Sequence, residues 1–104
     1  MDGYELVLQF RGRRVETEDE VGEIEDAIFE LLEDGERWDG HEVLAAARNI
    51  CVTTHDAHTT FARLAPFLAQ AGLLDHVIAA ARPLAGDAFT TLWPQGHGKD
   101  FSRR

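Results

Sequence analysis

Three histidines and one dense run of carboxylates are the groups through which this chain could do chemistry. Thr54-His55-Asp56-Ala57-His58 places two imidazoles and a carboxylate at a strand-to-helix junction, and His41 stands on a neighbouring segment. Zinc takes three or four nitrogen, oxygen or sulfur ligands in a tetrahedral arrangement, so His41, His55 and His58 form the candidate metal set. The competing reading makes them surface or hydrogen-bonded histidines and gives Asp56 to a helix cap. Neither H-E-x-x-H nor C-x-x-C is present, and no cofactor is expected.

Nucleophilic catalysis needs a serine, threonine or cysteine beside a base. The one serine, Ser102, lies near the C-terminus. Cys51 and His55 share a strand face but stand about 13 Å apart along it. The setting Asn49-Ile50-Cys51-Val52 instead makes Cys51 a buried apolar residue. Asp39 and His41 offer a dyad beside Trp38, against the simpler reading of a turn aspartate and a strand histidine. The glycines are scattered and make no phosphate loop. The expectation is a non-enzymatic protein.

The carboxylates are concentrated. Eleven lie between Glu16 and Glu36 with no basic residue among them, in a chain of net charge −9. The remaining eight acids and ten bases sum to +2, so the acidity is local. A concentrated field selects a basic partner and repels acidic ones. The simpler reading is a solvated helix face. Glu23, Asp26, Glu30, Glu33, Asp34 and Glu36, with Trp38 as an aromatic anchor, are the candidate partner-binding residues. Trp93 is a second anchor candidate or a core residue. Nucleic acid and anionic membrane are not expected partners at this charge. Arg11, Arg13 and Arg14 read as charge partners for the carboxylates rather than a phosphate site.

The elements that position these groups follow from periodicity. Tyr4 to Phe10 alternates and predicts a strand. Thr17 with Glu20 makes a capping box, followed by the apolar stripe Val21, Ile24, Ala27, Ile28, Leu31 and Leu32, with Gly35 as the C-cap. Glu33, Asp34 and Glu36 would then sit at the unfavourable end of the helix dipole, which calls for a partner. Trp38-Asp39-Gly40-His41 reads as a turn. A hairpin is expected from strands near His41–Ala45 and Asn49–His55, although 42–48 also suits a helix. Asp56 caps a second helix carrying Phe61, Leu64, Ala65 and Leu68, with Pro66 inside it and Gly72-Leu73 as a Schellman stop. Val77 to Leu84 and Phe89 to Trp93 are further strands.

Strands interleaved with two helices predict an α+β fold, a ferredoxin-like split β-α-β layer with an antiparallel sheet and both helices on one face. Residues 1–94 form one domain and 95–104 a flexible tail. The other sheet face would be open, or covered by a second copy in a homodimer. No segment approaches the roughly 20 apolar residues that span a bilayer, and the acidic N-terminus lacks a signal peptide's features, so a cytoplasmic location is expected.

Asp39-Gly40-His41, Asn49-Ile50-Cys51-Val52-Thr53-Thr54, Thr60-Phe61, Gly72-Leu73-Leu74 and Thr91-Leu92-Trp93-Pro94 together resemble a set of small uncharacterised bacterial ferredoxin-like proteins, over Tyr4 to Pro94. The resemblance implies the fold and no catalytic residue. In size and acidity the chain also resembles the immunity proteins that neutralise bacterial toxins. That likeness implies an inhibitor of a basic toxin or nucleic-acid-acting protein and carries over no residue. The alternative is a small-ligand or metal-binding dimeric α+β protein.

Overall fold

The alternating run at the N-terminus forms the central strand of a sheet. A computed structural model describes residues 3–11, 18–43 and 47–94. In chain order they form β1 (Tyr4–Arg11), α1 (Glu18–Leu31), β2 (Arg37–Val43), β3 (Ala47–Thr54), α2 (Ala57–Gln70), a 3-10 turn at Leu74–His76, β4 (Val77–Pro83) and β5 (Thr90–Trp93). The fold is α+β: one five-stranded sheet in the order β2-β3-β1-β4-β5, with each neighbouring pair antiparallel, and two helices.

Alternation sorts each strand into two faces, and residues directly opposite across strands share a face. Leu6 pairs with Val52 and Ala81, Leu8 with Ile50 and Ala79, and Phe10 with Val77. These side chains form one core with Ile24 and Ile28 of α1 and Ala57, Phe61, Leu64 and Leu68 of α2. Both helices therefore cover the same sheet face. Alanines on β4 opposite leucines on β1 keep the layer close-packed without overfilling it.

The second helix follows its local signals closely. Asp56 accepts from the Thr59 backbone N–H at 3.1 Å and the Thr59 hydroxyl at 2.9 Å. At the other end Leu73 N–H donates to Leu68 carbonyl and Gly72 N–H to Ala69 carbonyl, with Gly72 at φ +73°. This is the Schellman pattern, closed by the buried Leu68 and Leu73. Pro66 is on the exposed side of the helix, where its missing N–H disturbs no core contact.

Three expectations change. The first helix ends at Leu31, and Gly35, at φ +87°, belongs to the following turn, in which Glu36 N–H donates to Glu33 carbonyl. Gly35 is therefore not the helix C-cap. Strand β2 starts at Arg37, so Trp38-Asp39-Gly40-His41 is strand rather than turn. A register shift between Trp38 and His41, with Gly40 at φ +93°, absorbs the turn-like residues as a bulge. The second sheet face is also not open at its centre: Glu5, Val7, Gln9, Asn49, Cys51 and Ala80 are all buried within the single chain. The capping box at Thr17, the basic turn at Arg13 and Arg14, the Ala46 link and the tail 95–104 lie outside the described residues.

Candidate functional site

Helix α1 and the edge strand β2 build an acidic and aromatic surface. Trp38 pairs with Val52, and His41 with Ile50, so both project to the helix side of β2. Glu25 of α1 reaches them there. It accepts from Trp38 Nε1 at 2.6 Å and pairs with His41 Nδ1 at 2.8 Å. Both carboxylate oxygens are thereby engaged, and the indole is held in one orientation. Gly22, Glu25, Asp26 and Phe29 recur at helical spacing on one flank of α1. With Trp38 they line a pocket of about 350 Å³. Phe29 is 62% exposed and Trp38 43%. Both are large apolar side chains left open to water beside exposed carboxylates. Glu23, Asp26 and Glu30 are exposed on the same helix.

The other three candidate carboxylates sit elsewhere. Glu33 and Glu36 follow the helix and turn toward α2. Glu36 accepts from the Thr60 hydroxyl at 2.6 Å, from the Glu33 backbone N–H at 2.8 Å and from Arg63 Nη1. Thr60 also lies 2.7 Å from the Thr54 hydroxyl. Arg63 Nε is 3.2 Å from Glu33. Burial alone would push the Glu36 carboxyl upward. The hydrogen bonds from Thr60, Arg63 and Glu33, with the Arg63 charge, outweigh it and hold the group below the ordinary carboxylate value. The Glu36 hydrogen bond, opposed by some desolvation, raises the Arg63 pKa in turn. The partners that Glu33 and Glu36 were expected to need from outside are therefore found within the chain, while Asp34 is exposed in the turn.

The three histidines are not brought together. His41 pairs with Glu25 beside α1. His55 and His58 instead line a pocket of about 420 Å³ with Tyr4, Asp56, Thr90 and Leu92. Among the described residues no group of three or more His, Cys, Asp or Glu side chains is placed to hold a metal ion. Asp56 is committed to capping α2: the Thr59 backbone N–H, then its hydroxyl, lower the Asp56 pKa. Cys51 is buried. Trp93 is a packing residue, donating from Nε1 to Leu74 carbonyl at 2.9 Å and meeting Phe61 at a ring-centroid distance of 6.3 Å.

Phe29 and Gly22 are the site residues that periodicity did not single out. Their signal was present: Phe29 falls out of phase with the Ile24–Ile28–Leu31 stripe, and Gly22 is a helix-interior glycine. No helix among the described residues is long and apolar enough to cross a membrane. No protein-family model matches the chain, and no curated protein or solved structure matches it either.

Proposed function

We propose that this protein is a non-enzymatic binding domain that docks a basic protein through α1 and β2. One observation carries the reading: exposed Phe29 of α1 and exposed Trp38 of β2 line one pocket beside the exposed α1 carboxylates Glu23, Asp26 and Glu30. Aromatic anchors supply contact area, and the surrounding carboxylates supply orientation and association rate. A basic toxin or nucleic-acid-acting protein has the complementary charge, so an inhibitor of immunity type is the form of this function the charge favours. Glu33 and Glu36 drop to a supporting role, because both share Arg63 as a partner within the chain.

The frame fits a ferredoxin-like split β-α-β layer. Its support is the element order β-α-β-β-α-β together with the spatial order β2-β3-β1-β4, to which β5 adds an edge strand.

The test starts from proteins retained by the immobilised chain. Each is identified, purified and titrated calorimetrically against wild type and against the Glu23→Lys, Asp26→Lys, Glu30→Lys triple variant. The reading expects a basic partner whose affinity falls at least about tenfold on reversal and weakens with added salt. Equal affinity for the folded triple variant overturns it.

A second reading rests on the pocket between β3, α2 and the end of β4. Its two imidazoles, with the Tyr4 and Thr90 hydroxyls, suit a small polar ligand. Metal analysis of the protein purified without chelators separates a metal-dependent form of this reading from a metal-free one.

A further inference from the structure

We infer that the pocket between Phe29 and Trp38 receives an arginine side chain of the partner. The inference rests on the docking reading above and names the group that would be recognised. The pocket combines two aromatic side chains with Asp26 and Glu25 in a space of about 350 Å³. An aromatic face and a carboxylate together select a cation, and a planar guanidinium can stack on the first while donating two parallel hydrogen bonds to the second. The carboxylates have separate parts. Glu25 is occupied by Trp38 Nε1 and His41 Nδ1, so it orients the indole and adds negative potential. Asp26, exposed at the pocket, is the group that receives the guanidinium.

Gly22 points the same way. Glycine inside a helix costs about 1 kcal/mol relative to alanine. A Cβ built at Gly22 would meet nothing within 4 Å, so among the described residues no packing requires glycine there. The space it leaves is pocket space. A larger side chain at this position would fill the pocket while favouring the helix.

The experiment is a nuclear magnetic resonance titration of the full chain with the tripeptide amide acetyl-Gly-Arg-Gly-amide. The neutral citrulline isostere and the lysine analogue serve as comparisons. The readout is the Trp38 indole N–H, distinguished from Trp93 by the Trp93→Phe variant. The expected result is a saturable shift with arginine, binding at least about tenfold weaker with lysine, and no saturable shift with citrulline. Asp26→Asn weakens the arginine response, and Gly22→Leu abolishes it with the remaining spectrum preserved. No saturable shift, equal binding of citrulline, or undiminished binding to Gly22→Leu overturns the inference. A partner that loses affinity on charge reversal, while the tripeptide leaves Trp38 unmoved, refutes the arginine pocket alone. Arginine binding at Trp38 with a partner indifferent to reversal refutes the docking reading and leaves an arginine pocket that this partner does not use.

Discussion

Glu36→Ala tests whether this carboxylate belongs to the fold or to a docking surface. Its side chain is only 8% exposed and accepts three hydrogen bonds, from Thr60, Glu33 and Arg63. Removing it would not forfeit all three in full. The Glu33 amide and the Arg63 guanidinium regain water. The buried Thr60 hydroxyl keeps the Asp56 carbonyl at 3.0 Å and the Thr54 hydroxyl at 2.7 Å. The remaining loss is about 1–2 kcal/mol, the scale of one charge-assisted hydrogen bond plus part of a neutral one. Urea unfolding followed by circular dichroism should show that loss with an unchanged m-value, and Tm should fall by roughly 5–15 °C. Glu33→Ala is the comparison: at 67% side-chain exposure, its ion pair with Arg63 contributes less than about 1 kcal/mol.

The pH dependence has a definite sign. Folding lowers the Glu36 pKa, so the folded chain binds fewer protons there. The stabilisation is complete above the ordinary value of 4.5 and is lost as pH falls through the lower folded value. The difference between wild type and Glu36→Ala should therefore shrink at acid pH. A loss below about 0.5 kcal/mol at neutral pH, or one that stays constant through acid pH, refutes the clamp.

Other outcomes follow from the same contacts. Leu64→Ala, at a fully buried core position, should cost about 2–5 kcal/mol by chemical denaturation, and a smaller loss would mean the helix–sheet layer collapses around the gap. Asp56→Ala should speed amide hydrogen exchange at Thr59 by removing its acceptor, with Asp56→Asn retaining most of the protection. The protection given by Asp56, whose pKa is also lowered, should be full above the ordinary value of 3.8 and fade as pH falls through the folded one.

What was legible in the residues was local. Tyr4–Phe10 alternates and is a strand; Asp56 and Thr59 make a cap; Gly72 and Leu73 make a Schellman stop. Each signal is confined to one strand or one turn, so no distant contact is needed to act on it. Where local signals conflicted, they misled. Asp39-Gly40 has turn chemistry, yet pairing with β3 draws Trp38 and His41 into a strand and leaves Gly40 to a bulge. Gly35 has the look of a helix stop, but the chain leaves the helix at Leu31 and uses Gly35 in the next turn.

The amino-acid order by itself determined the α+β class, the two amphipathic helices and the concentration of negative charge before β2. Tertiary structure decided what each charge does. Glu36 meets Arg63 across 27 positions, and Glu25 meets Trp38 across 13, because sheet register and helix placement bring them together. The same packing separates His41 from His55 and His58 and buries the centre of the second sheet face. Charge can be counted along a chain, but whether a carboxylate is neutralised, oriented or left facing water depends on neighbours that only folding supplies.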